Sequence, residues 1–394
     1  MGHLVQRGTI YFVYDQSWVA SGHNLSPLHL PLTTVAFNGV KGVEGLPGLI
    51  ADCLPDTWGR KVAAADFAQR KLGEVTAMKL LAWRGARGLG ALQFRPALGD
   101  DGRPLDRPLA AISVAALARG AGEIQRGAPS AVLPQLVRGG TAGGAYPKAL
   151  VLAYADGTLG VGQPDGVGEP CLLKFDLSDS GGTAACEHAY ALMSAAAGIR
   201  TVSTRLIDGD QKGQRPHLLV RRFDVPDPRN PQRRLHFHSL SGLLHQRPGE
   251  LDYRDFFHTA IQLGAPPADV REIARRMIFN VLAANPDDHG KNHAFVHDEA
   301  SQTWSLSPAF DVTFRAGMLE RGLRVSGEVW PRRDTMEALC RDAGVRAPEF
   351  RNIFSAVESA IKRWPRFARQ AGVPAPIVRD ASDWQRRIRV AVVP

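Results

Sequence analysis

One stretch constrains this chain more than any other: Asn280-Val-Leu-Ala-Ala-Asn-Pro-Asp-Asp-His-Gly-Lys-Asn-His-Ala-Phe295. Ahead of it, Ile273, Met277, Ile278, Val281 and Leu282 recur at helix spacing, so a core helix ends here in a polar loop. The strand-like His293-Ala-Phe-Val-His297 follows. Within the loop, Asp287 and Asn292 have the D-x-x-x-x-N spacing of a kinase catalytic loop. There the Asp accepts a hydrogen bond from the attacking hydroxyl, while the Asn amide oxygen turns back to magnesium. Asp311, closing Trp304-Ser-Leu-Ser-Pro-Ala-Phe-Asp311, stands 24 residues after Asp287. A second acid shortly after the loop is what a two-magnesium phosphoryl-transfer site needs. It is not a D-F-G motif, since Val312 and Thr313 follow. The plain alternatives are a loop rich in Asx turns and an ordinary loop Asp.

Two features upstream bear on phosphate. Gly139-Gly-Thr-Ala-Gly-Gly-Ala-Tyr-Pro-Lys148 lets backbone amides approach anionic oxygens without Cβ clashes and ends in a positive charge. It is neither a P-loop nor a clean G-x-G-x-x-G, and taken alone a flexible hairpin connection explains it as well. Lys174 lies inside the apolar strand Cys171-Leu-Leu-Lys-Phe175, on the face of Leu172 and opposite Leu173. It either snorkels from an edge or meets an anion, and Glu187 on the next helix is positioned to pair with it.

The remaining pattern predicts an α+β chain. Thr9-Ile-Tyr-Phe-Val-Tyr14 and Val35-Ala-Phe37 read as strands, residues 46–82 as helical, and Gly90-Ala-Leu-Gln-Phe94 as a strand. A Pro- and Gly-rich seam runs from Pro96 to Pro108, with a helix near 109–120 beyond it. Strands at 148–154, 171–175, 201–207 and 217–223 predict an antiparallel sheet, interrupted by a helix at 184–197 with Gly198 as its C-cap. From Ser239 the pattern is mostly helical, including 347–371, kinked or ended near Pro365. A β-rich middle followed by a helical half is a two-lobe order that suits a nucleotide, although architecture alone proves no function.

Composition narrows the class. Hydrophobic residues at 44% and charged residues at 22% of 394 are ordinary globular values, and no apolar run is long enough to span a bilayer. With no signal-peptide pattern at the start, the expectation is a soluble cytoplasmic chain with no membrane partner. Cys53, Cys171, Cys186 and Cys340 lack C-x-x-C spacing, which speaks against zinc and disulfides. His236, His238, His289 and His293 likewise have no supporting cluster for a structural metal. The net charge of +9 favours acidic partners, and the last 49 residues hold ten Lys or Arg against four acids. A solvated helical face explains that end equally well.

Gly loop, strand Lys, catalytic Asp with Asn, and metal Asp occur in kinase order. At this point the chain resembles the HipA family, the kinase toxins of bacterial toxin–antitoxin systems. The resemblance is carried by Tyr14-Asp15, Leu46-Pro-Gly-Leu-Ile50, Leu54-Pro-Asp-Thr-Trp-Gly59, Gly90-Ala-Leu92, Gly143-Gly-Ala-Tyr-Pro-Lys148, Leu173-Lys-Phe175, Arg221-Arg-Phe-Asp224 and Phe279-Asn280. Its most specific parts are Asn285-Pro-Asp-Asp-His-Gly-Lys-Asn292 and Leu306-Ser-Pro-Ala-Phe-Asp311.

The resemblance implies a two-lobe protein-kinase-like fold, with an antiparallel-sheet N-lobe, an extra amino-terminal subdomain and a mostly α-helical C-lobe. The expected division is 1–108, 109–235 and 236–394. It implies ATP and Mg2+ as cofactors, with Asp287 as base and Lys291 at the transferring phosphate. Asn292 and Asp311 would bind magnesium. The nucleotide would meet Gly143, Gly144, Ala145, Lys148, Lys174 and His289. The strand end at Arg221, Arg222 and Phe223 would offer backbone groups to adenine, with Asp224 near the ribose. Thr141 occupies the position where the family's loop carries a self-phosphorylated serine, and Tyr146 departs from the family's usual Gln or Arg. The implied partners are a protein substrate, a HipB-like helix-turn-helix antitoxin, and operator DNA reached mainly through that antitoxin. The substrate would be a Ser or Thr of a translation factor such as an aminoacyl-tRNA synthetase. A small-molecule kinase on the same fold would use the same Asp287 and Asn292. A non-catalytic nucleic-acid-binding module would use the charge, although no zinc-finger spacing or helix-turn-helix pattern stands out.

Overall fold

The computed structural model describes residues 1–38, 44–96, 112–140, 143–209, 215–315, 317 and 320–392. Thr141 and most of the seam between Pro96 and Pro108 lie outside the described residues. The chain forms two compact units, one made of 1–52, 189–201 and 236–394, the other of 53–188 and 202–235.

The first unit is built on the helix Pro267–Leu282. Ile273, Met277, Ile278 and Val281, spaced for one face, are all fully buried, each side chain contributing about 1.5–3 kcal/mol of transfer free energy. Against this helix pack Tyr253–Gln262, Arg333–Asp342, Ala347–Ile361 and Ala375–Val392. The expected break near Pro365 is a boundary between two helices. Ala347–Ile361 ends, and Trp364–Gln370 begins with Pro365 in its first turn, where the missing N–H costs nothing.

Two small antiparallel sheets and a short parallel pair, Leu251–Asp252 with Leu323–Arg324, complete this unit. In one sheet, Ala294–Asp298 lies between His236–Ser239 and Thr303–Leu306. The other sheet joins Gly2–Arg7, Thr9–Tyr14 and Phe37–Asn38 in chain order. Asp52 ties the amino-terminal part to the strand His236–Ser239. Its carboxylate lies 2.7 Å from His238 Nδ1 and accepts from the Ser239 amide at 2.8 Å, while His238 Nε2 lies 3.1 Å from Ser26 Oγ. Ser26 and His238 are sealed from solvent, so this Ser–His–Asp chain is a structural clasp.

The second unit carries a five-stranded antiparallel sheet. Its order is Leu159–Gly160, Lys148–Ala153, Glu169–Lys174, His217–Arg221, Thr204–Ile207. The sequence pattern predicts four of these strands, and the fifth completes the hairpin turned at Gly157, whose φ of 86° suits glycine. The helix Thr57–Gln69 packs on Val114–Gln125 and Leu133–Gly139. The helix Thr183–Ala196 starts in this unit and ends in the other, with Gly198 just beyond it at φ 81°.

One expected strand is absent. Gly90-Ala-Leu-Gln-Phe94 runs as irregular chain because its polar groups are satisfied by side chains instead of a ladder. The Arg84 guanidinium donates to Leu89 O and Leu92 O, both at 2.7 Å, and the Gly90 amide donates to Asp224 at 2.8 Å.

Candidate active site

In the first unit, the catalytic-loop segment follows the core helix directly. The loop is closed on itself: Asn292 N donates to His289 O at 2.8 Å, and Asn292 Nδ2 donates to Asp287 O at 2.7 Å. With its nitrogen committed, the Asn292 amide keeps its oxygen as the ligand-type atom. The Asp287 carboxylate is partly exposed, with Arg315 Nε at 3.4 Å and His289 Nε2 at 3.8 Å. Lys291 is half-buried between His289 and Asn292.

Asp288, next to it, points the other way into the core. Its carboxylate accepts from Arg321 Nη2 at 2.6 Å and Tyr253 OH at 2.8 Å. Burial pushes this carboxyl up from its ordinary value, against the pull of Arg321 and Tyr253. Asn280 Nδ2 donates to Tyr253 OH at 2.9 Å, and Asn285 Nδ2 donates to Asn280 Oδ1 at 3.0 Å, so the helix end and the loop share one polar network. Gly322 donates to Pro286 O at 2.8 Å, and a Cβ there would strike the His289 backbone.

The same helix positions Asp311. Asp269 in its first turn accepts from Leu306 N at 2.7 Å, and Arg276 Nη2 donates to Ser307 O at 2.7 Å. Ala309 is held by Arg200 O and Thr201 Oγ1. Asp311 itself has φ 55°, a left-handed conformation that Asp tolerates better than most side chains and that costs about 1 kcal/mol. Asn292 and Asp311 line one cavity with Asn285, Asp288 and Phe310. An amide oxygen and a carboxylate are donors that magnesium takes when phosphate oxygens and water complete its shell, so these two residues fit that ion. Among the described residues, no group of three or more His, Cys, Asp or Glu gathers into a metal-ligating cluster.

In the second unit, Lys148 and Lys174 are directly opposed across neighbouring strands. Like charges in that register repel, and the two lysines have different partners. Lys174 Nζ pairs with Glu187 at 2.5 Å, the contact expected from the sequence. Lys148 Nζ donates to Gly143 O at 2.5 Å. Two lysines side by side, next to a loop whose Gly143 and Ala145 are exposed and whose Gly144 has φ 107°, form a charge arrangement that suits an anion.

The strand end carries a buried ion pair. Arg222 and Asp224 are spent on each other in a buried bidentate pair, Nε–Oδ1 at 3.0 Å and Nη2–Oδ2 at 2.7 Å, with Gly90 N on the same carboxylate. Arg222, desolvation and the Gly90 amide set its titration, and the net direction is below the ordinary carboxylate value. This pair therefore braces the segment around Gly90. Arg221 is exposed and pairs with Glu169 at 3.4 Å, and Phe223 is half-buried just past the strand. Sequence reasoning assigned no role to Asp288, Arg321, Tyr253, Arg315 or Asp56. The doubled acid at 287–288 and the quoted Leu54-Pro-Asp motif were the available signals.

With this geometry in place, similarity to known proteins is informative. The HipA N-terminal domain matches residues 1–95 and the HipA-like C-terminal domain matches residues 140–364. "Putative kinase Y4mE" of Sinorhizobium fredii (strain NBRC 101917 / NGR234) is 26% identical over 219 residues, which is 53% of this chain and 46% of that protein. "Putative kinase Y4dM" of the same strain is 25% identical over 191 residues, 45% of each chain. The matches thus span about half the length of these curated relatives. HipA of Shewanella oneidensis MR-1, solved with HipB and operator DNA, aligns over 99% of this chain and 94% of its own at a TM-score of 0.64 and 15% identity. That likeness shows the fold, the α+β two-lobe architecture expected from the sequence. The two domain matches together take in most of the sequence, and the chain belongs to the HipA family.

Proposed function

We propose that this chain is an ATP-dependent protein kinase of the toxin type, transferring the γ-phosphoryl group to a Ser or Thr hydroxyl of a bacterial protein in the cytoplasm. The observation that carries the reading is the convergence of Asn292 and Asp311 on one cavity beside the Asp287 loop. Asp287 accepts the hydrogen bond of the attacking hydroxyl and takes its proton as the new P–O bond forms and the bond from the γ-phosphorus to the β,γ-bridging oxygen breaks, ADP leaving. Asn292 and Asp311 would hold magnesium, which supplies charge neutralisation at the phosphates when bound. Lys174, oriented by Glu187, and Lys148 supply positive charge to the phosphate chain, and Lys291 meets the group in transfer. Catalysis would rest on positioning and electrostatics, with no covalent enzyme intermediate.

A HipB-like helix-turn-helix antitoxin is the inferred partner, docked through the segment 1–108, with operator DNA contacted mainly through it. That inference is supported by the Shewanella complex, whose HipA was solved with both. Thr141 is the proposed autophosphorylation site, because it matches the position of the family's self-phosphorylated serine, and a phosphate there would add about −1.5 to −2 charges three residues along the sequence from Arg138. The test is transfer from γ-labelled ATP with magnesium, wild type against Asp287→Asn, read on a gel with lysate proteins present. Label that vanishes in the variant supports the reading. Absence of magnesium-dependent ATP binding by the wild type sinks it.

A further inference from the structure

Asp56 stands at the N-cap of the helix Thr57–Gln69 with extended backbone, φ −77° and ψ −169°. Aspartate is among the preferred N-cap residues because its carboxylate accepts the orphan amides of the first turn. Here it makes no such bond. Its Oδ2 instead accepts from the Gly144 amide at 2.8 Å, across 88 residues of sequence. The first turn of the same helix holds the loop at two more points. Trp58 N donates to Gly144 O at 3.4 Å, and the buried Trp58 indole donates to Lys148 O at 2.7 Å. A Cβ on Gly143 would come within 2.9 Å of Asp56 Oδ2, so the loop lies close against the carboxylate.

We propose that Asp56 is a positioning residue for the Gly-rich loop, holding Gly144 so that the turn reaching Lys148 keeps the shape in which it meets nucleotide phosphates. The proposal rests on the phosphoryl-transfer reading above and extends it to a residue outside the kinase motifs. Forgoing its own helix cap is a local loss of helix stability, offset by fixing a glycine turn that is otherwise free to adopt many conformations. A charge-assisted hydrogen bond of this kind is stronger than a neutral one, which suits a clamp on a short loop.

The test has two readouts. Amide hydrogen exchange of the peptide covering 143–148 is followed in the nucleotide-free protein, and the dissociation constant of magnesium–ATP is measured by calorimetry. Asp56→Ala is expected to speed exchange in this peptide and weaken ATP about fivefold or more. Asp56→Asn, which keeps the acceptor oxygen but loses the charge, is expected to fall between wild type and Asp56→Ala on both. Thermal melting checks the fold. Should the alanine variant melt early, Asp56→Ser, which keeps a preferred N-cap residue but withdraws the carboxylate from Gly144, carries the same test. Unchanged exchange, unchanged affinity, or an asparagine variant as impaired as alanine overturns the proposal. Tighter ATP binding by Asp56→Ala also overturns it, since the carboxylate would then be a competitor of phosphate. A wild type that binds no ATP overturns the kinase reading itself, and the exchange data still decide whether Asp56 orders the loop.

Discussion

Arg321 Nη2 lies 2.6 Å from Asp288 Oδ2, and both side chains are almost wholly removed from solvent. The pair sits directly behind Asp287, so the loop that carries the proposed base is anchored by the acid next to it. Arg321→Ala would leave a buried carboxylate without its cation. We expect a loss of about 3–5 kcal/mol in urea unfolding. Arg321→Lys, which cannot reproduce the contacts to Leu323 O, Asn280 O and Asn285 O together, is expected to recover only part of it. A stability equal to wild type in both variants would remove the anchor from the account.

Glu187→Gln keeps the shape beside Lys174 but removes the charge at the 2.5 Å contact. The lysine then loses its orienting partner next to Lys148. Magnesium–ATP affinity should fall by roughly tenfold, equivalent to about 1.4 kcal/mol. Stability should fall as well, since both side chains are largely removed from solvent.

Gly322→Ala inserts a methyl group against the backbone of His289. The Pro286–His289 segment must move or the strand Leu323–Arg324 must give way. We expect a loss of about 1–3 kcal/mol and a drop in phosphoryl transfer larger than the stability change explains. Gly317→Ala is the control, because among the described residues no atom lies within 4 Å of its missing Cβ, although its positive φ carries a small cost.

Stability should fall on mild acidification. Burial holds His236 and His293 down to about 3 and His245 to about 4, against an ordinary 6.5. Below pH 6.5 the unfolded chain takes up these protons while the folded chain does not, so unfolding is favoured as pH drops toward 4. Each histidine contributes a slope of up to about 1.4 kcal/mol per pH unit. Asp52, although burial opposes it, is held below its ordinary value by His238 and Ser239, and its contribution is lost only below about pH 4. Urea midpoints between pH 7 and 5 check this, and His236→Phe should flatten the slope. A midpoint constant over that range would contradict buried neutral histidines.

Asn292→Ala and Asp311→Ala should each raise the magnesium concentration needed for ATP binding. If both residues serve one ion, the double variant should be little worse than either single. Additive losses would point to two separate sites.

Much of the site was legible in the amino-acid order, because its chemistry is local. Asp287 and Asn292 lie in one loop whose hydrogen bonds span five residues, and Leu306 to Asp311 is a short segment with its own turn. The period of Ile273, Met277 and Val281 likewise dictated the core helix, since one apolar face must be buried wherever the helix lies. Tertiary structure decided what depends on distant partners. Arg222 and Asp224 read from sequence only as a strand end, yet they pair with each other in the core and Gly90, 134 residues before Asp224, donates to the same carboxylate. The same contacts removed the expected strand at Gly90–Phe94, since Asp224 took an amide that a ladder would have used. Asp56 looks like a helix cap and becomes a loop clamp for a parallel reason: a carboxylate accepts whichever amide the fold brings nearest. Local periodicity encodes burial and loop spacing, whereas the choice of hydrogen-bond partner across scores of residues is settled only when the chain has folded.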